Sequence, residues 1–221
     1  KKLPFLNEIN TNIVINIAGS TIDEYVKVME ILEASDGNHI GYEINVSCPN
    51  VKKGGMEFGV DPEMILKLTK TLRESTDRLL IMKLSPNVTY IEEMALASES
   101  GGADAISAIN TVVGMAIDHN TGKIILNSTF GGLSGPAIKP IALANVHKIY
   151  KKVKIPIIGM GGISSVKDAV EFFRLGSTMI QIGTLNYKDP SISNRLCNEL
   201  KDFLINSKLK NITELIGDYN E

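Results

Sequence analysis

Short runs of Ile, Val and Leu alternate along the chain with longer segments whose apolar positions recur every three or four residues. The short runs predict strands at residues 12–18, 40–47, 79–84, 103–109, 155–160 and 178–183. The longer segments predict helices at 22–34, 62–75, 90–98, 140–151, 164–175 and 190–207. Asp61 and Pro62 mark a helix start, the first as a capping side chain and the second as a residue suited to the first turn. Strands that are apolar on both faces and alternate with helices imply parallel βαβ units. Residues 116–130 break the rhythm. Asp118, Asn120 and Gly122 suggest a turn between apolar runs, so an inserted hairpin is expected above a strand end.

Glycines fall where two of these strands end. Gly161 and Gly162 follow the fifth predicted strand, and Gly183-Thr184 follows the sixth. At such positions glycine lets the backbone approach a ligand closely, and the N–H groups can face a phosphate. One such loop is no more than a tight turn. Two in succession match the phosphate site that (β/α)8 barrels build after strands 7 and 8. The expected fold is therefore an α/β (β/α)8 TIM barrel in which the six strands are barrel strands 3 to 8. The first two βα units are expected to lie outside these residues, since a full barrel takes ~250 residues.

Polar side chains also gather at strand ends. Lys83 sits in an apolar run, where a lysine is rarely buried without a partner. Asn16 interrupts the first strand, Asn110-Thr111 ends the fourth, and Asn45, Cys48 and Asn50 cluster where the second ends. A thiol between two amides can act as base or nucleophile beside a planar polar substrate. A plain buried cysteine before an Asn turn explains it equally well. Gly54, Gly55 and Gly59 could hinge a lid there, or serve only a surface turn.

The 221 residues are 43% hydrophobic and 22% charged, with a net charge of −2. That suits a soluble domain with a sizeable core, offers no basic field for nucleic acid, and holds no apolar run of the ~18 residues a membrane span needs. Two cysteines and three scattered histidines give no metal-ligand spacing, and a cytoplasmic location is expected. Cys197, in a helical run, is expected to be inert core.

The segments INIAGS (15–20), INVSCPNVKKGG (44–55), MKLSPNVT (82–89), INT (109–111), GGLSGPAIKP (131–140), IPIIGMGGI (155–163) and IGT (182–184) resemble, in order and spacing, the dihydroorotate dehydrogenase family. Cys rather than Ser at 48 resembles class 1. KLSPN and NVKKGG resemble the NAD-linked class 1B catalytic subunit more than the fumarate-linked class 1A. Dihydropyrimidine dehydrogenase is similar but carries His where this chain has Asn50. The resemblance implies FMN as cofactor and (S)-dihydroorotate as substrate, oxidised to orotate in pyrimidine biosynthesis. It implies Cys48 as general base toward C5, with the hydride from C6 passing to flavin N5, and Lys83 beside the flavin. It implies Asn45, Asn50, Asn110 and Thr111 on the substrate, and Asn16, Asn45, Lys83, Ile109, Gly135, Gly161, Gly162, Gly183 and Thr184 on FMN. It also implies a homodimer and an electron-transfer subunit that carries FAD and a 2Fe–2S cluster and reduces NAD, since two cysteines cannot ligate such a cluster here.

A non-redox phosphate-binding barrel would use the same glycine loops, and an inactive fragment of a barrel would keep them. The non-redox barrel gives Cys48 and the asparagines no shared purpose, while the expected absence of the first two strands keeps the fragment open. If Cys48 is the base, its thiolate is the competent form. The rate is then expected to rise with pH toward the ordinary thiol value of ~8.5. A rate profile flat from about pH 6 to 9 would remove Cys48 from that role.

Overall fold

The computed structural model describes residues 2–47 and 58–220. A five-residue helix, α1 (Leu3–Asn7), precedes β1 (Val14–Ala18), α2 (Ile22–Glu33) and β2 (Gly41–Asn45). Then follow α3 (Pro62–Arg73), β3 (Leu79–Lys83), α4 (Ile91–Ser100) and β4 (Ala105–Ala108). Two short strands, β5 (Val112–Gly114) and β6 (Gly131–Leu133), come before α5 (Lys139–Tyr150), β7 (Ile157–Met160), α6 (Val166–Arg174), β8 (Met179–Gln181) and α7 (Ile192–Asn206). The six expected strands form one sheet in the order β1-β2-β3-β4-β7-β8, every neighbouring pair parallel. The sheet curls as a partial barrel: among the described residues β1 and β8 are its open edges, and they do not pair with each other.

Successive strand residues face opposite sides of a sheet, and partners in register share a side. Outward lie Ile17, Tyr42, Ile44, Leu80, Met82, Ile106 and Ile157, all within one apolar cluster. The helices close over them with Ile65, Leu68 and Leu72 of α3, Val146 and Ile149 of α5, and Phe172 and Phe173 of α6. Each such side chain contributes about 1.5–3 kcal/mol on burial. Inward lie Asn16, Glu43, Asn45, Lys83 and Ser107, with Ile81, Ile158 and Met160, which are buried but stand apart from that cluster. The outside of the sheet is thus core, and its concave side is chemically mixed.

Local sequence sets the helix starts. The Asp61 carboxylate accepts from Glu63 N at 2.9 Å, and the Thr21 hydroxyl accepts from Glu24 N at 3.1 Å. Gly159 lets α6 close on the sheet, because a Cβ there would lie 2.5 Å from Phe172 Cδ1. Expected and observed ends of the main helices and strands agree within two residues. The insert differs. Its turn lies at Asp118–Lys123, where the Asp118 carboxylate accepts from Asn120 N and Thr121 N, and Ile117 bridges Ile124. Its main ladder, β5 with β6, lies outside 116–130, because the chain pairs continuously only where it leaves the rim. Neither α1, which buries nothing, nor the 3-10 turn Ile212–Leu215 follows from periodicity, since each is too short to show one. Cys197 corrects the expectation of core. It is exposed, because α7 buries the stripe through Ile192 and Leu196 and the next residue turns away.

The α6 N-terminus joins α5 through one carboxylate. Asp168 Oδ2 accepts from the backbone N–H and hydroxyl of both Ser164 and Ser165, and Oδ1 from Lys139 Nζ at 2.6 Å. Burial pushes the Asp168 carboxyl up, but the Lys139 and serine hydrogen bonds outweigh it and hold it at about 2. A depressed carboxylate adds stability above its unfolded value of 3.8 and loses it as pH falls through 2. Asp168→Asn is expected to cost roughly 2 kcal/mol at neutral pH in urea unfolding and to flatten the loss of stability between about pH 4 and 2.

Candidate functional site

Above the concave face, at the C-terminal ends of β3, β4, β7 and β8, lies a cavity of about 580 Å³. Lys83 enters it from the end of β3. Ile109, Asn110 and Thr111 enter from beyond β4, Gly135 from beyond β6, Gly161 and Gly162 from beyond β7, and Gly183 and Thr184 from beyond β8. These nine expected site residues come from segments up to a hundred residues apart in sequence and line one space. Among the described residues its walls carry two lysines, Lys83 and Lys188, and no carboxylate, so it favours an anion. Ile109, Ile138, Met160 and Ile182 supply apolar wall for a flat ring.

The glycines shape one end. Gly162 has φ +76°, and a Cβ there would lie 2.8 Å from the Gly135 carbonyl oxygen and 2.9 Å from Lys139 N. Glycine is thus required where the β7 loop packs against the approach to α5. A Cβ added at Gly183 meets nothing within 4 Å and would project into open space. Among the described residues, the N–H groups of Gly162, Ile163 and Thr184 meet no backbone acceptor. Unpaired N–H groups around an open pocket, with no carboxylate in its lining, suit a phosphate.

The amides form the other side. Asn110 Nδ2 donates to Asn45 Oδ1 at 2.9 Å, and Ser47 N donates to the same oxygen at 3.1 Å. The Tyr25 hydroxyl donates to the Asn45 carbonyl oxygen at 2.7 Å, tying the end of β2 to α2. Asn45 therefore reaches the cavity through Asn110 rather than by lining it. Asn16 also stands outside the lining. It is partnered in register with Glu43 and donates from Nδ2 to Glu43 Oε2 at 2.7 Å. Lys83 Nζ lies 3.4 Å from that same oxygen. Cys48 and Asn50 lie outside the described residues, as do Gly54 and Gly55. Gly59 packs on the second strand's end, where a Cβ would lie 2.8 Å from the Val46 carbonyl oxygen, a close approach that explains it without a lid. A smaller cavity of about 150 Å³ opens between Ser47, Gly59 and Ser85, with Thr111 as a wall shared with the larger one.

Sequence reasoning missed Glu43, Ser107, Gln181 and Lys188. Glu43 carried the same signal as Lys83, a charge inside an apolar run, and is only 4% exposed. Ser107, fully buried with no partner for its hydroxyl among the described residues, lies beside Lys83 in register. Gln181 ends β8, and Lys188 follows a 3-10 turn (Thr184–Tyr187) that no pattern announced.

The dihydroorotate dehydrogenase family model matches residues 1–204. The chain is 48% identical over 217 residues to the catalytic subunit of dihydroorotate dehydrogenase B (NAD(+)) from Geobacter metallireducens, covering 98% of this chain and 71% of that protein. It is 47% identical over 220 residues to the protein of that name from Caldicellulosiruptor saccharolyticus, covering all of this chain and 72% of the relative. To the Thermoanaerobacter sp. X514 protein of the same name it is 48% identical, covering 98% and 71%. With a family match over most of its length and relatives nearly half identical throughout, the chain belongs to the dihydroorotate dehydrogenase family.

Proposed function

We propose that this chain is the catalytic subunit of an NAD-linked dihydroorotate dehydrogenase, which oxidises (S)-dihydroorotate to orotate with FMN in pyrimidine biosynthesis. The convergence of Lys83, Ile109–Thr111, Gly135, Gly161–Gly162 and Gly183–Thr184 on one cavity, with no carboxylate in its wall among the described residues, supports the reading. The residues fit FMN. The open space beside Gly183 takes the phosphate, and the apolar stretch from Ile109 to Met160 takes the ring. When bound, FMN supplies the acceptor for the substrate's hydride.

The chain's own groups prepare that transfer. Backbone N–H groups of Gly162 and Thr184 would hold the phosphate. Lys83 places positive charge where negative charge develops on reduction. The Asn110–Asn45 pair orients a planar amide substrate without titrating, so orientation does not depend on pH. Cys48 removes the proton. Its assignment rests on the INVSCPN motif, since it lies outside the described residues.

Electron passage to NAD through a subunit carrying FAD and a 2Fe–2S cluster, and a homodimer of this chain, belong to the same reading. The insert offers apolar surface for such contacts. Val113, Met115, Ile117, Ile125 and Phe130 are each more than half exposed. No helix among the described residues is long and apolar enough to cross a membrane.

The purified protein is expected to be yellow, and its flavin absorbance to bleach when dihydroorotate is added without oxygen. Cys48→Ala should stay yellow and lose the bleaching, while Cys197→Ala keeps both. A colourless protein that takes up no added FMN would overturn the reading. Gly183→Leu, which fills the open space, is expected to weaken FMN binding by at least about tenfold in a fluorescence titration. Unchanged affinity would move the phosphate away from this loop.

A further inference from the structure

We infer that Glu43 is a positioning residue that holds Lys83 and Asn16 from beneath and sets the charge the cavity presents to a bound flavin; this rests on the FMN reading above. Glu43 occupies the middle of β2, on the concave face, where its neighbours in register are Asn16 and Ile81. Its residue is 4% exposed, and an ionised carboxylate in such a place is retained only with compensation. One oxygen has that compensation: Oε2 accepts from Asn16 Nδ2 at 2.7 Å and faces Lys83 Nζ at 3.4 Å. The other, Oε1, is buried and has no hydrogen-bond partner among the described residues. A packing role would be served better by an apolar residue such as Ile44, its neighbour in β2.

The arrangement has two consequences for the cavity. The Asn16 amide is turned with its N–H toward Glu43, so its oxygen faces away from the carboxylate as an acceptor. Lys83 lines the cavity, and its one ion pair among the described residues is with Glu43. The pair therefore offers the ring a tempered positive charge rather than a full one. With an uncharged amide in place of the Glu43 carboxylate, the lysine charge is unopposed, and reduced flavin gains stability relative to oxidised flavin.

Glu43→Gln keeps the shape and an acceptor oxygen but removes the charge. In the flavin-loaded protein, equilibration against a redox dye is expected to shift at least about tenfold toward reduced flavin, about 30 mV for a two-electron couple. A second measurement does not need flavin. Acetylation of Lys83 by acetic anhydride, read by mass spectrometry, should run several-fold faster once the carboxylate that holds the amine is gone. An unchanged flavin potential overturns the charge-setting role, and an unchanged labelling rate overturns the clamp on Lys83. Failure of the wild-type protein to bind FMN would instead overturn the flavin reading, and the labelling experiment would still judge the clamp. Should Glu43→Gln not fold, Glu43→Asp withdraws the carboxylate by one methylene and should move both measurements in the same directions.

Discussion

The parallel register of β1 through β4 with β7 and β8 is the constraint on which this protein depends. Because side chains alternate and registered partners share a side, Tyr42, Leu80, Ile106 and Ile157 can pack under the helices only if Glu43, Lys83 and Ser107 turn the other way. A slip of one residue would bury a lysine and two acidic or hydroxyl side chains in the helix-facing core and expose that core's apolar set. Hydrophobic burial on the outside therefore places the polar groups on the concave side. The strand ends then aim Lys83 and the loops beyond them at one cavity.

Within that frame each loop contributes a different physical capacity. The β7 loop contributes backbone N–H groups that lie close to the approach to α5, which glycine at 162 permits. The loop after β8 leaves open space beside Gly183. The end of β4 contributes Asn110, whose bond to Asn45 Oδ1 ties two strands together at the rim. Rigidity comes from outside the cavity. Asp168 gathers two serines and Lys139 at the start of α6, so the glycine loop beside it has a fixed far end.

Charge is distributed with the same economy. Among the described residues the cavity wall holds lysines and no carboxylate, yet directly beneath Lys83 sits a buried glutamate. An exposed ion pair would be worth little, but here the Lys83 side chain is only 19% and the Glu43 side chain 6% exposed, so solvent screens the pair less. At the opposite end of the sheet, Tyr42 and His39 form a second buried polar group with Glu33. Burial and the Glu33 hydrogen bond push the Tyr42 hydroxyl up, and burial pushes the His39 ring down. Polar burial there faces away from the cavity and serves the base of the sheet.

Much of this was legible in the linear chain. The apolar runs located six strands, the three-to-four spacing located six helices, and Gly161–Gly162 and Gly183–Thr184 marked residues that line one cavity. Lys83 declared itself as a charge inside an apolar run. Glu43 sent the same signal and went unread, because pairing between strands, which turns a lone charge into half of a pair, is invisible along one dimension. For the same reason the insert's ladder fell outside its expected bounds, and Cys197 proved exposed. The sequence by itself determined which segments are strands and helices and which residue types meet at strand ends, since both follow from local periodicity and backbone preference. Only the tertiary structure decided that Asn110 holds Asn45, that Asn16 and Lys83 share one carboxylate, and that Asn16 stands beneath the cavity rather than in its wall. Those are distances across strands, fixed by register and curvature rather than by order along the chain.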